Sequence, residues 1–124
     1  MALDADDAAE IFRELGPVQV RRMFGGAGVY HSGVMFALET SGTLYLKADP
    51  DGAEAFRAEG CEPFSYETTT GRRTITSFWR APERLMDEPD ELAVWARRSV
   101  TIALAKKNAV KPRGRGRGRK EGAS

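Results

Sequence analysis

Between Val18 and Lys47 the chain is cut into short extended segments by two Ser-Gly pairs, Ser32-Gly33 and Ser41-Gly42. Such pairs favour positive φ and close tight hairpins, so the segments on either side are expected to run antiparallel. The spacing predicts three or four strands over residues 18–24, 28–31, 34–39 and 43–47. Within residues 34–39, Val34, Phe36 and Leu38 alternate with Met35, Ala37 and Glu39, which gives one apolar and one mixed face. That pattern suits an antiparallel sheet covered by helices on one side.

Helical patterns flank these strands. Over residues 4–15, Ala8, Phe12 and Leu15 share a face with Ile11 beside them, early Asp residues suit the positive end of a helix dipole, and Gly16-Pro17 stops it. Asp49-Pro50 reads as an N-cap followed by a first-turn proline, with Gly60 as the stop after Phe56. Residues 64–68 and 72–80 flank Thr69-Thr70-Gly71 and read as a hairpin, with Ile75, Ser77 and Trp79 facing opposite to Thr74, Thr76 and Phe78. After Pro82, Glu88-Pro89 opens a long helix whose stripe is Leu92, Trp95, Ala96, Ser99, Ile102 and Ala103, and which ends near residues 106–108. The expected fold class is α+β in two layers, an antiparallel sheet with helices on one side, in the order α-β(3 or 4)-α-β(2)-α. A disordered basic C-terminal tail follows. Residues 1–105 make the domain and residues 106–124 the tail.

At 124 residues, 41% hydrophobic and 30% charged, the chain fits one modest core. It has no apolar run near the ~20 residues of a membrane helix, and its start is acidic (Asp4, Asp6, Asp7), unlike a signal peptide. The expectation is a cytoplasmic protein with no membrane partner. The lone Cys61 excludes an intrachain disulfide and a cysteine metal cluster, and reads as a small buried hydrophobe. The net charge of +1 hides an asymmetry: residues 106–124 hold eight Lys/Arg against Glu121, a charge of +7, whereas residues 1–105 hold 11 basic and 17 acidic residues, a charge of −6. An acidic body with a basic tail points to a polyanion partner.

Lys111, Arg113, Arg115, Arg117, Arg119 and Lys120 are the candidate nucleic-acid-binding residues. Interleaved glycine denies them packing and their charges repel, so the segment is expected to be disordered in free solution. Pro112-Arg113-Gly114-Arg115 resembles an AT-hook core, in which Arg enters a narrow A·T minor groove and Gly avoids a Cβ clash with its floor. Gly116 stands where such a hook carries a second proline. Sequence-tolerant RNA binding, an acidic protein or lipid partner, and no specific partner remain open as other readings.

Elsewhere the chemistry is sparse. Gly25-Gly26-Ala27-Gly28 matches neither a Walker loop nor a dinucleotide fingerprint and reads as a bend or bulge between strands. His31, the single histidine, sits beside the Ser32-Gly33 turn, and Asp49 and Asp51 are explained as cap and first-turn acids. The expectation is therefore no catalytic residue, no metal, no cofactor and no enzyme. Arg21, Arg22, Arg72, Arg73 and Arg80, extended by Arg97 and Arg98, make either a basic face or ordinary solvated positions. Tyr30, Tyr45, Tyr66, Phe78 and Trp79 are either stacking platforms or packed residues.

Several spaced motifs agree in order with one family: Met23-Phe24-Gly25-Gly26-Ala27-Gly28-Val29-Tyr30, Leu44-Tyr45-Leu46-Lys47-Ala48-Asp49, Gly60-Cys61-Glu62-Pro63-Phe64-Ser65-Tyr66, Pro82-Glu83-Arg84-Leu85, and Leu92 with Trp95-Ala96. Over roughly residues 11–100 the chain resembles the TfoX/Sxy N-terminal domain. The resemblance implies the same two-layer fold, an architectural role for Met-Phe-Gly-Gly, and a non-enzymatic regulator of transcription or competence. It also implies a protein partner in the transcription machinery or a regulator, while a homodimer is a further candidate assembly. The alternative function is a small protein-binding or chaperone-like module with no nucleic-acid role.

Overall fold

The structure, a computed structural model, describes residues 4–23 and 25–110. The tail cations named above, and Phe24 at the end of the first expected strand, lie outside the described residues. Helix α1 (Ala5–Ile11) begins at Asp4, whose Oδ1 accepts the Asp7 N–H at 2.8 Å. It is four residues shorter at its end than the 4–15 pattern implies. Phe12 leaves helical geometry, Leu15 and Gly16 both donate to its carbonyl, and Gly16 at φ 124° turns the chain toward the first strand.

Strands β1 (Gln19–Met23), β2 (Gly26–His31), β3 (Val34–Thr40) and β4 (Thr43–Lys47) form a meander. Both expected turns are two-residue hairpin loops with positive φ throughout, 56° and 78° at Ser32-Gly33, and 52° and 80° at Ser41-Gly42. Two positive values in succession match the right-handed twist of the strands that they join. Helix α2 (Pro50–Ala58) follows, with the Asp49 carboxylate accepting the Gly52 N–H at 2.6 Å. Then come β5 (Pro63–Thr68), β6 (Gly71–Arg80), a 3-10 turn at Glu83–Asp87, and helix α3 (Pro89–Val110). All neighbours in the six-stranded sheet, ordered β1-β2-β3-β4-β6-β5, are antiparallel.

Two ladder irregularities decide which side chains face where. Val29 pairs with Ala37 but Tyr30 with Met35, so Phe36 is an extra residue on β3. The bulge puts Phe36 and Ala37 on the same face and sends Leu38 to the other. The simple alternation of residues 34–39 is thereby corrected: Val34, Phe36, Ala37 and Glu39 share a face, and Met35, Leu38 and Thr40 the opposite one. The second irregularity separates Pro63, paired with Trp79, from Phe64, paired with Ile75.

Among the described residues, all three α-helices pack on one face of the sheet. Ala8 and Phe12 of α1, Ala53 and Phe56 of α2, and Leu92, Ala96, Val100 and Ala103 of α3 form one core with Val29, Phe36, Leu46 and Trp79 of the sheet. Phe12 meets Phe36 edge-on at 5.1 Å, and Phe56 lies against both Trp79 and Trp95. Buried Ser99 donates to the Lys47 carbonyl at 2.7 Å and fastens α3 to the end of β4. Of the expected stripe on α3, Leu92, Ala96, Ser99 and Ala103 are buried, Trp95 is half-buried with its indole N–H reaching Glu91 at 3.3 Å, and Ile102 is half-buried outside the core, in the groove beside α2.

The 3-10 turn, for which the sequence pattern gives no helical period, is held by charge. The Arg84 guanidinium bonds Glu91 through two 2.8 Å contacts and Glu59 at 2.7 Å, joining the end of α2 to the start of α3. These bonds, with help from the Trp95 indole, hold the Glu91 carboxyl down to about 2 from its ordinary 4.5. A carboxylate depressed on folding stabilises the fold above its unfolded pKa, and that contribution is lost as pH falls through the folded one. Acid titration of the melting temperature is therefore expected to show a smaller loss between pH 4.5 and pH 2 in Glu91→Gln than in the wild type. An identical loss in both would remove Glu91 as a source of acid sensitivity.

Candidate nucleic-acid interface

Strand pairing places opposed residues on one face, and the ladders of the described strands sort the sheet's arginines and aromatics into two groups. Arg21 pairs with Gly28 and Gly28 with Leu38; Leu38 pairs with Tyr45 and Tyr45 with Arg80. Lys47 pairs with Phe78, Phe64 with Ile75, and Tyr66 with Arg73. These residues share the face opposite the helices. Neither Leu38 nor Phe78 touches the helix-covered core, although they are only 9% and 6% exposed.

The aromatics of this outer face form a ladder at the β4, β6, β5 end. Tyr45 meets Phe64 edge-on at 4.9 Å, and Phe64 stacks on Tyr66 at 5.7 Å. Tyr66 is 43% exposed. Exposed Arg73 and Arg80 stand beside them and Lys47 lies over Phe78 at 4.7 Å, while Arg21, at the far β1 edge of the same face, lies over the Tyr30 ring at 5.0 Å. Partial burial and nearby Lys106 lower the Lys47 pKa. The strand acids Glu39 and Glu67 fall on the other face, so within the described ladders this face carries Arg21, Lys47, Arg73 and Arg80 and no carboxylate.

The remaining cations considered from sequence are placed elsewhere. Arg22 pairs with Ala27 and Arg72 with Glu67 on the opposite face, the latter also as an ion pair at 3.1 Å. Arg97 donates to the Glu14 carbonyl at 2.9 Å, and Arg98 lies 3.9 Å from Asp49. Trp79 is buried under α2 and donates to the Thr76 carbonyl. Phe64 and Lys47 are members that sequence reasoning did not single out. Their period-two spacing from Tyr66 and Tyr45 is the signal by which they could have been found.

The other candidates have local structural roles. His31 is half-buried with Nδ1 2.6 Å from the Pro17 carbonyl, to which the ring donates. Gly26 is the first residue of β2, and a Cβ there would lie 2.0 Å from the Glu39 carbonyl oxygen, so the glycine serves strand approach. Among the described residues Gly25 makes the bend, at φ 80°. Burial pushes the half-buried Cys61 thiol up, away from a reactive thiolate. Among the described residues no three His, Cys, Asp or Glu side chains are grouped to hold a metal ion, and no helix is long and apolar enough to cross a membrane.

An α+β domain whose described helices seal one face of the sheet, with no described helix over the other, is the class that fold and surface define. The chain belongs to the TfoX N-terminal domain family, whose model matches residues 10–103. It is 35% identical over 66 residues to the DNA transformation protein TfoX1 of Aliivibrio fischeri (strain ATCC 700601 / ES114), a stretch covering 53% of this chain and 32% of that relative.

Proposed function

We propose that this chain is a regulatory protein of the TfoX type, related to competence, which acts by binding rather than by catalysis and contacts nucleic acid through its Arg/Gly-rich C-terminal segment. The family match supports the regulatory reading, and the relative's name, a DNA transformation protein, supports the link to competence. The observation that carries nucleic-acid contact is charge: residues 106–124 hold eight cations against Glu121 alone. Each phosphate neutralised releases counterions, so such binding is steeply salt-dependent.

The test is fluorescence anisotropy on A·T-rich and G·C-rich duplexes across a salt series, with the full chain and a full-length variant carrying Arg113→Gln, Arg115→Gln, Arg117→Gln and Arg119→Gln. Loss of four phosphate contacts should flatten the slope of log affinity against log salt by about 3 to 4 units, while the melting temperature of the folded body stays put. An unchanged slope would refute tail contact. The alternative, a small protein-binding module, has a surface of its own in the groove between α2 and α3, lined by Phe56, Trp95 and Ile102 beside Val94, which is 61% exposed. Wild-type affinity at background level for both duplexes would favour it.

A further inference from the structure

We propose that the helix-free face of the sheet is a platform for single-stranded nucleic acid, with bases stacking on the Tyr45, Phe64 and Tyr66 ladder and phosphates met by Arg73, Arg80 and Lys47. The proposal rests on the reading above that nucleic acid is the partner, but it uses different residues and a different chemistry. Three observations carry it.

The first is charge sorting. Residues 1–105 carry a net −6, yet the paired strand residues of the outer face include Arg21, Lys47, Arg73 and Arg80 and no carboxylate; exposed Glu62, whose carbonyl accepts the Arg80 N–H at 2.9 Å, lies just beyond the β5 ladder. A cationic face on an acidic body selects an anion. It also argues against a second copy as the occupant, because a two-fold axis through this face would set like charges against one another.

The second is what lies between the charges. Tyr45, Phe64 and Tyr66 are in mutual contact at 4.9 and 5.7 Å, and Tyr66 stays 43% exposed at the β5 edge of the sheet. Rings held by their neighbours offer stacking surface with little further loss of side-chain freedom, and every base has a π-face to match. Arg73 sits opposite Tyr66 in the ladder and Arg80 opposite Tyr45, so each ring at the two ends has a cation beside it.

The third is shape. The platform belongs to a sheet face, with no described helix or ribbon projecting from it to enter a groove. Bases in a duplex are stacked on one another and unavailable to it, whereas an unpaired strand can splay its bases across aromatic side chains. The ligand class is therefore single-stranded RNA or DNA. A basic tail, in contrast, meets phosphates on duplex and single strand alike.

The experiment titrates the full chain against a single-stranded oligouridylate and oligothymidylate of about 12 nucleotides, within the span expected for sheet platforms, and against a duplex of equal length. Tyr66→Ala with Arg73→Gln, both at exposed positions, should weaken single-strand binding about tenfold or more, from one lost stacking contact and one lost phosphate contact. Duplex affinity should fall far less. Tyr66→Phe, which keeps the ring, should bind single strands like the wild type. Single-strand affinity unchanged by the double substitution overturns the platform, as does a failure of the wild type to bind either single strand. Putting the same substitutions into the four-Arg tail variant separates the two readings. If duplex binding survives the loss of the tail arginines while the Tyr66 effect on single strands persists, the tail reading fails and the platform stands.

Discussion

Gly26→Ala is expected to destabilise the fold by about 3 kcal/mol or more, because a clash with partner backbone leaves no side chain that can give way. The added Cβ would stand 2.0 Å from the Glu39 carbonyl oxygen and 3.2 Å from the Thr40 Cα, so β2 and β3 would have to move apart at the middle of the meander. In a domain near this size that cost should lower the melting temperature by roughly 10 °C. The neighbouring substitution makes the control. Gly25 has open space around it but φ 80°, so Gly25→Ala should cost only about 1 to 2 kcal/mol, the penalty of a left-handed residue. Thermal and urea melts of the two variants decide it. Equal costs would mean that the glycine pair serves the turn alone and that the close strand approach at Gly26 is absent in solution.

That contrast shows what was legible in the sequence. Positive-φ turns leave local marks, so Ser32-Gly33 and Ser41-Gly42 were found to the residue, as was the Asp49-Pro50 start of α2. Element order and the two layers followed from period alone. What escaped was set by tertiary geometry. The Phe36 bulge leaves no mark in a run of apolar residues, yet it reverses the facing of Leu38. The 3-10 turn depends on Arg84 meeting both Glu59 at the end of α2, 25 residues away, and Glu91 on the helix that follows it. The end of α1 depends on Phe12 being drawn into the core against Phe36.

The candidate surface was less legible than the fold. Arg72 and Arg73 are adjacent, as are Arg21 and Arg22, and a charge count treats each pair as one patch. The ladder separates them, turning Arg21 and Arg73 outward and their neighbours to the other side. A period of two is enough to predict that separation, but the absolute facing requires register, which the irregularity between Pro63 and Phe64 shifts. Trp79 shows the consequence: it stands among outer-face candidates in sequence and lies under α2 in space, stacked with Phe56.

Phe36→Ala should cost about 3 to 5 kcal/mol, the range for removing a sealed aromatic from a core. Its ring is 0% exposed and packs edge-on against Phe12 at 5.1 Å, so truncation removes apolar burial and leaves a cavity between α1 and the sheet. Against a total stability of about 5 to 15 kcal/mol for a native domain, that loss is large. Leu38→Ala should cost about 2 kcal/mol, the low end for a leucine, because Leu38 lies outside the helix-covered core, on a face over which no described helix packs. Strict alternation along β3 would give both residues the same surroundings and comparable costs. The bulge alone makes them unequal, so urea denaturation of the two variants reads the bulge directly. A Leu38→Ala penalty matching that of Phe36→Ala would place Leu38 under the helices and dissolve the outer face on which the platform is built.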